Sequence, residues 1–299
     1  MAINVSNIGL DITPEGHELY PHGTVEFPLA CYDMELDQDG FPWHWHDEWE
    51  MVYISKGQLE FTAGAKKYTI REGEGIIING GVLHSGAGYN DRPSHLRSLV
   101  FHPRLVGGSV DSIYWQKYVD PLVRNRNFRE IYLDGSEEWH GQMLKLLKEA
   151  WEYCAEDKEG YEIYVREKLS RLVLLLKEHV STKQTRISEK SLRNTIRVKR
   201  MLQYINEHYW EDFTVKDIAE YAGVSESECL RCFRNMVGMP PVKYVRQYRL
   251  QIAAALLATT DLKITEIAEK CGFSDSSYFT KSFREWRGIA PGEYRKVSV

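Results

Sequence analysis

The sequence predicts a multidomain α+β protein, in which an N-terminal β-barrel and a helical hairpin precede an all-α domain with two helix-turn-helix units. Three observations predict this organisation: a duplicated unit near the C-terminus, short strands separated by regular turn signals, and an uneven distribution of charge. The predicted boundaries are 1–135 for the barrel, 136–180 for the hairpin, 181–192 for a linker and 193–299 for the all-α domain.

The composition fits a folded protein of two domains. The 299 residues are 43% apolar and 12% aromatic, and five scattered cysteines are too few for a disulfide scaffold. No apolar run approaches the ~18 residues of a membrane span, and the first residues lack a basic-then-apolar leader. We therefore expect a cytoplasmic protein that does not enter the membrane.

Short apolar runs in the first domain alternate with glycine-containing turns, which is typical of a β-sandwich or a small barrel. One strand is expected over 43–55. The turns that follow it are Lys56-Gly57, Gly64–Lys67, Gly73–Gly75 and Asn79–Gly81. The aromatic-rich, loop-like sequence from 101 to 134 is expected to complete this domain.

Within the expected first strand, His44, His46 and Glu50 share parity, so their side chains would face the same side. Trp43 and Trp49 lie on the opposite parity, with Trp45, and are expected to pack on an outer face.

The His-x-His-x3-Glu spacing of these residues, followed by Gly57, Gly75 and His84, resembles the two short motifs of the cupin barrel. The resemblance implies that the three histidines and Glu50 can converge on one site, and in cupins such a site can hold a metal ion. The chain departs from that family at 79–81, where cupins usually have proline.

Two helices follow the barrel sequence. Ser136 is expected to cap the first, and Asp157–Gly160 separates it from a second helix that runs from Tyr161 to about His179. The apolar surface of this hairpin exceeds the need of one barrel face, so we expect it to pair two subunits. The alternative is that it only covers its own barrel. The expected dimer face contains the leucines Leu146, Leu147, Leu172 and Leu176. Residues 181–192 are polar without an apolar period and predict a linker.

The last third of the chain contains one unit twice. Ile218-Ala219-Glu220 and Gly223 return 49 residues later as Ile267-Ala268-Glu269 and Gly272. Phe233, Gly238, Pro241 and Tyr244 return at an offset of 50, as Phe283, Gly288, Pro291 and Tyr294. The duplication therefore includes one inserted residue in the second copy.

Each copy predicts a helix-turn-helix. A short amphipathic helix ends at a glycine, which permits the tight turn, and Ser225 or Ser274 is expected to cap the second helix. Cys229, Cys232 and Phe233 are the expected buried side of the first copy, with Phe279 and Phe283 in the second. An Ala/Leu-rich helix around Arg249 to Leu257 joins the copies and would hold them at a fixed distance.

Charge is divided between the two halves. From Ser191 to Val299 there are 17 Lys and Arg residues against 13 Asp and Glu residues, while the preceding residues contain 21 against 30. A basic domain behind an acidic one is typical of a modular DNA-binding protein.

The C-terminal third of the chain resembles the DNA-binding domain of the AraC family of transcription regulators. The residues that carry the resemblance are Gly223, Ser225, Arg231, Phe233, Gly238, Pro241, Tyr244, Arg249-Leu250, Ala253, Leu256-Leu257, Ile267-Ala268, Gly272-Phe273, Ser277-Tyr278-Phe279, Phe283, Gly288, Pro291, Tyr294 and Arg295. The resemblance implies a regulator that binds double-stranded promoter DNA as a homodimer, with two recognition helices in successive major grooves ~34 Å apart.

The residues that match the base-facing positions of that family are Ser227, Leu230 and Arg231 in the first copy and Ser276, Ser277, Thr280 and Lys281 in the second. Arg231 is the best candidate for base discrimination, because a guanidinium can bind the O6 and N7 atoms of guanine together. Arg234, Arg284 and Lys281 are expected to bind phosphates, or to be ordinary solvated charges.

The resemblance also implies a sensor in the first domain. We expect His44, His46, Glu50 and His84 to bind a small-molecule effector without a metal, and the open alternative is Zn, Fe, Mn or Ni at the same four residues. Family resemblance favours activation of carbohydrate-utilisation genes, a sugar effector and contact with RNA polymerase. The alternatives are a metal-dependent cupin enzyme with an added helical domain, or a stress-type regulator without an effector.

Overall fold

A computed structural model describes residues 22–36, 40–64, 66–89, 93–125, 127–180 and 189–297. The chain divides into two units, and the described residues before Arg193 form the first unit, while those from Arg193 onward form the second. The residues at the start of the chain and 181–188 of the predicted linker lie outside the described part.

The described residues of the first unit form nine antiparallel strands in two sheets. The strands are β1 (Leu29–Leu36), β2 (Phe41–His44), β3 (Trp49–Lys56), β4 (Gln58–Ala63), β5 (Lys66–Arg71), β6 (Gly75–Ile78), β7 (His84–Gly88), β8 (Ser94–Phe101) and β9 (Glu130–Leu133). One sheet has the order β1-β8-β3-β6-β9 and the other the order β2-β7-β4-β5. This arrangement confirms the predicted β-barrel architecture.

Strand β3 separates two hydrophobic cores because its side chains alternate between the two faces of the sheet. Trp49 and Met51 belong to the core that helices cover, while Val52 and Ile54 belong to the core between the sheets. Trp49 therefore packs on the outer face of the barrel, as its parity predicts, and is buried there.

The prediction of a single strand over 43–55 is wrong. Strand β2 ends at His44 and β3 begins at Trp49, so the chain turns between them. The turn is packed against the β6–β7 loop, where the N–H of Gly81 donates to the carbonyl oxygen of His46 at 2.7 Å. Parity in the sequence does not reveal such a break, because the loop that imposes it comes from a distant part of the chain.

The segment from 101 to 134 contains more regular structure than its sequence indicates. It holds α1 (Arg104–Gly107), a π-helical turn (Trp115–Val119), α2 (Asp120–Val123) and strand β9. Strand β9 is only four residues long, so its alternation is too brief to recognise, but it pairs with β6 from Gly75 to Ile78.

The helical hairpin consists of α3 (Glu138–Glu156) and α4 (Tyr161–His179), and the second helix has the predicted bounds. Ser136 does not cap α3, because the residue at the N-cap position is Glu137, which makes no side-chain capping hydrogen bond. The N–H of Ser136 donates to Oδ1 of Asp134. The α3–α4 pair covers the outer face of the larger sheet and shares one core with it.

The prediction that four leucines of the hairpin form a dimer face is wrong. Leu147, Leu172 and Leu176 are at most 1% exposed and belong to the core beneath the hairpin, and Leu146 packs against that core. A helical apolar stripe shows that a helix covers something, but it does not show whether the covered surface belongs to the same chain. Other side chains of α4 face solvent, among them Ile163 and Leu174.

The second unit is all α, as predicted. Its helices are α5 (Glu189–His208), α6 (Val215–Ala222), α7 (Glu226–Val237), α8 (Pro241–Thr259), α9 (Ile264–Lys270), α10 (Ser276–Arg287) and α11 (Pro291–Val297). Helix α5 begins inside the predicted linker, at Glu189, because a polar segment without an apolar face can still be helical. No helix among the described residues has the length and apolarity needed to cross a bilayer.

Candidate functional site

Four buried polar side chains meet at one end of the barrel. His44 ends β2, His46 lies in the turn that follows, Glu50 is on β3 and His84 begins β7. Each is at most 7% exposed, and one ligand atom from each lies within 4.8 Å of the others. The structure thus brings together all four residues that the sequence singles out, although they come from three strands and a turn.

Each imidazole is oriented by a main-chain carbonyl. The Nδ1 atoms of His44, His46 and His84 lie 3.0, 3.1 and 2.8 Å from the carbonyl oxygens of Pro42, Glu48 and Val82. A carbonyl oxygen only accepts, so Nδ1 is the donor in each pair, and the Nε2 atom of a neutral ring keeps its lone pair. Metal-binding histidines are commonly oriented in this way.

Glu50 completes the set. Its Oε2 atom lies 3.1 Å from Nε2 of His84 and 3.6 Å from Nε2 of His46, and these three buried atoms make no regular hydrogen bond within the described residues. Burial favours the neutral carboxyl, but hydrogen bonds from His46 and His84, with their rings protonated at Nε2, outweigh it and hold the pKa of Glu50 well below its ordinary value. Acceptor atoms this close repel one another unless a proton or a cation lies between them.

A second group adjoins the first and shares His46 with it. His22 and Glu48 offer ligand atoms within 4.8 Å of one another and of His46. The ring of His22 lies 5.1 Å from that of His46, and its Nδ1 atom is 2.9 Å from the hydroxyl of Tyr32. Sequence reasoning missed both residues, since neither belongs to a recognisable spacing with the other ligands.

In the second unit, α6–α7 and α9–α10 are the two predicted helix-turn-helix pairs. Ser225 caps α7 and accepts from the N–H of Glu228 at 3.3 Å. Asp275 caps α10 and accepts from the N–H of Tyr278 at 2.7 Å, so the prediction of Ser274 is wrong by one position. The inserted residue lies before the cap, which places Asp275 at the offset of 50 from Ser225.

The predicted DNA-binding residues share one exposed side of α7 and α10. Buried Cys229, Cys232 and Phe233 occupy the opposite side of α7, and Phe279 and Phe283 do so in α10. The exposed residues are Ser227, Leu230, Arg231 and Arg234 on α7 and Ser276, Ser277, Lys281 and Arg284 on α10, with Thr280 half-buried. Those of α10 line an open surface groove together with Glu285.

Arg231 is held by a carboxylate on its own helix. Its Nε atom lies 3.1 Å from Oε2 of Glu228, and its Nη2 atom lies 2.7 Å from both carboxylate oxygens. Nη1 of Arg197 on α5 donates to the same Glu228 at 2.9 Å. The hydrogen bonds from Arg231 hold the pKa of Glu228 below its ordinary value.

Arg249 on α8 connects the parts of the second unit. Its guanidinium donates to the carbonyl oxygens of Tyr209, Gly272 and Glu211 at 2.6, 2.8 and 2.7 Å. Burial lowers the pKa of Arg249 from its ordinary value, yet three close acceptors satisfy the charge. This side chain therefore joins the segment after α5 to the turn of the second helix-turn-helix.

Comparison with known proteins gives matches to both units. A family model described as an AraC-like ligand binding domain matches residues 26–173, and one described as a helix-turn-helix domain matches residues 218–297. The uncharacterised HTH-type transcriptional regulator YdeC of Bacillus subtilis is 32% identical over 285 residues, which cover 94% of this chain and 96% of YdeC. The HTH-type transcriptional activator RhaS of Klebsiella pneumoniae is 23% identical over 275 residues, which cover 89% of this chain and 92% of RhaS.

Two solved structures are also similar. ToxT from Vibrio cholerae O395 is 14% identical, with a TM-score of 0.43, and the match covers 91% of this chain and 98% of ToxT. The DNA-binding domain of AdpA, solved in complex with a target DNA, is 29% identical with a TM-score of 0.32, and the match covers 34% of this chain and 91% of that domain.

Proposed function

The chain belongs to the AraC family of transcription regulators, and we propose that α7 and α10 read promoter DNA under the control of a small molecule bound at the buried cluster of His44, His46, Glu50 and His84. It is a DNA-binding regulator and not an enzyme. The observation that supports the DNA-reading residues most directly is the pair of capped helices, each with an apolar side buried and a polar side in solvent.

The two arginines of α7 are assigned different roles. Arg231 lies one helical turn beyond Ser227 on the exposed side and is proposed to contact a base. Arg234 lies three residues further along and is proposed to contact a phosphate, which anchors the helix without reading sequence. In α10, Lys281 can reach either group, while Arg284 is assigned to phosphate.

Arg231→Ala is expected to weaken binding to the preferred DNA by about 1–3 kcal/mol and to flatten base preference at one or two positions. Arg234→Ala is the matched control. It should weaken binding to all sequences about equally and reduce the dependence of log affinity on log salt by about one. The measurement is a titration of the full chain with duplexes from its own promoter region and their base variants, at two salt concentrations.

The reverse pattern, with uniform loss for Arg231→Ala and altered base preference for Arg234→Ala, would show that the orientation proposed for α7 is wrong. Binding by the native chain that is indifferent to salt between about 50 and 200 mM would contradict the DNA-reading assignment itself.

The proposed effector site has the donor set of a divalent transition metal. Three imidazole nitrogens and one carboxylate suit Zn, Fe, Mn or Ni, and the orientation of the Nδ1 atoms supports this alternative over direct binding of an organic effector. A bound cation would neutralise Glu50 and offer a Lewis-acidic position for an oxygen atom of an effector. The chain's own contribution is to hold the four donors close together and buried from solvent.

Native protein purified without chelator is expected to contain close to one divalent metal per chain, measured by elemental analysis, and chelation should lower its thermal stability. Glu50→Gln should lose most of the metal, because it removes the only anionic donor of the cluster. His179→Gln is the control, since His179 is an exposed residue of α4 in the same unit.

A native chain without metal, whose melting temperature is raised by a small molecule only when Glu50 is intact, would favour direct effector binding. If Glu50→Gln changes neither the metal content of the protein nor the effect of any screened metabolite on its melting temperature, the site assignment is wrong. The screen should begin with sugars, a class supported by family resemblance alone.

We also propose homodimerisation through the solvent-exposed side of α4, which carries Ile163 and Leu174. Activation of transcription, with contact to RNA polymerase, is proposed from the family and from the designation of RhaS as an activator. A regulator of promoter DNA would act in the cytoplasm.

A further inference from the structure

We propose that Glu228 determines the base specificity of the first recognition helix, because it binds Arg231 through Nε and Nη2 and leaves Nη1 of the guanidinium free of the carboxylate and available to a base. The inference rests on the proposed reading of DNA by α7. It concerns a residue outside the base-facing set, and its role is to position Arg231 rather than to touch DNA.

The contact between the two side chains is of the side-on type. A guanidinium has two edges that can donate a pair of parallel hydrogen bonds, one formed by Nε and Nη2 and the other by Nη1 and Nη2. Glu228 contacts the first edge: its Oε2 atom lies 3.1 Å from Nε and 2.7 Å from Nη2, and its Oε1 atom also lies 2.7 Å from Nη2. Nη1 makes no contact with Glu228, so the second edge can still present donors to O6 and N7 of guanine.

Glu228 is itself fixed by further contacts. Arg197 donates to its Oε1 atom at 2.9 Å from α5, and the thiol of Cys232 lies 3.4 Å from the same oxygen. The carboxylate also lies in the first turn of α7, where the helix dipole favours a negative charge. The position of the acceptor is therefore set before DNA arrives, so Arg231 has less conformational freedom to lose on binding.

The same carboxylate restrains non-specific binding. It offsets the positive charge of Arg231 and occupies the donors that would otherwise turn to a phosphate. Without Glu228, Arg231 would add one mobile cation to the electrostatic attraction that every DNA sequence exerts equally.

The second copy provides an internal comparison. At the offset of 50, Glu228 corresponds to Tyr278 and Arg231 to Lys281. Lys281 is exposed and has no carboxylate at the position three residues before it, so the described part of α10 lacks this arrangement. The difference predicts that the half-site under α7 is read more strictly than the half-site under α10.

The test is a selection of DNA by the full chain from a duplex library with about 20 randomised base pairs, enough for two successive major grooves. Sequencing of the bound DNA gives the base preference at each position. Glu228→Gln keeps the size of the side chain and is expected to lower discrimination by ~10-fold at one or two positions of one half-site. Its binding to arbitrary DNA should strengthen, and the dependence of log affinity on log salt should increase by about one.

Glu226→Gln is the matched control. Glu226 is an exposed carboxylate in the same turn of α7, so its substitution removes the same charge. It should leave base preference unchanged. Equal effects of the two variants would show that only the net charge of the helix matters and would overturn the proposal.

Two further outcomes are decisive. If Glu228→Gln lowers thermal stability but keeps the native base preference, Glu228 only packs α7 against α5, and the proposal is wrong. If the native chain itself enriches no sequence, the proposed DNA-reading function fails, and this inference fails with it. Enrichment by the native chain with retained preference in Glu228→Gln contradicts the inference alone.

Discussion

Leu172→Asp is expected to unfold the first unit rather than to separate two subunits. Leu172 is 0% exposed, in the core between the hairpin and the larger sheet. Removing a buried leucine costs about 2–5 kcal/mol, and a buried carboxylate without a partner adds to that, so the loss should reach at least about 4 kcal/mol. Urea unfolding followed by tryptophan fluorescence measures it, because six of the eight tryptophans precede Arg193.

Leu174→Asp is the matched control, two residues along the same helix, where the side chain is 45% exposed. It should change the free energy of unfolding by less than about 0.5 kcal/mol, and, if α4 pairs two subunits, it should weaken the dimer. A folded, monomeric Leu172→Asp chain beside a dimeric Leu174→Asp chain would contradict the packing described for α4. A native chain that sediments as a monomer at tens of micromolar would refute the proposed dimer.

Gly272→Ala is expected to destabilise the second unit by about 2–5 kcal/mol. Gly272 has φ of +74°, and a Cβ there would lie 2.7 Å from the carbonyl oxygen of Tyr209 and 2.9 Å from the Cα atom of Trp210. Both neighbours are main-chain atoms, so the clash cannot be relieved by a change of rotamer. The guanidinium of Arg249, 2.9 Å away, would be displaced as well. Thermal melting by far-ultraviolet circular dichroism measures the loss.

Gly223→Ala separates the backbone strain from the steric clash. The first copy contains the same turn, but it lacks the close main-chain atoms found at Gly272. Gly223 has φ of +68° and no heavy atom within 4 Å of the Cβ position. Its replacement should cost only the ~1–2 kcal/mol of left-handed backbone strain. Equal shifts of the melting temperature for the two variants would show that the close approach at Gly272 has no energetic weight.

The sequence predicts the second unit well, because two copies of a pattern confirm each other. The glycine, the cap and the buried aromatic residues recur, so the helix-turn-helix pairs follow from local rules alone. The exception is the cap of α10. Because of the inserted residue, Ser274 and Asp275 are equally good candidates by sequence. Only the offset of 50 in the following helix favours Asp275.

The four residues that the sequence singles out in the first unit meet in one buried cluster, but the local structure that their parity predicts is wrong. Shared parity suggested that His44 and Glu50 lie on one strand, yet a turn at 45–48 separates their strands. The residues still meet because β2 and β3 belong to different sheets that face each other. His22 carries no such signal, since its position depends on a segment that precedes β1 without a motif.

Some contacts between charged side chains can also be predicted from the sequence, and others cannot. Glu228 and Arg231 are three residues apart on one helix, a spacing at which opposite charges are neighbours, so their contact could have been foreseen. The participation of Arg197 could not, because it depends on how α5 packs against α7. For the leucines of the hairpin, amphipathicity predicts burial but does not identify the covering surface.

The acceptors of Arg249 have a consequence for how this family member can evolve. All three are main-chain oxygens, which every amino acid possesses, so substitution of the side chains of Tyr209 or Glu211 removes no acceptor. The connection therefore tolerates substitution at Tyr209 and Glu211, but it depends on Arg249 and on Gly272, where a Cβ would displace the guanidinium. A change of side chain at those two positions therefore leaves the link between the segment after α5 and the turn of the second helix-turn-helix in place.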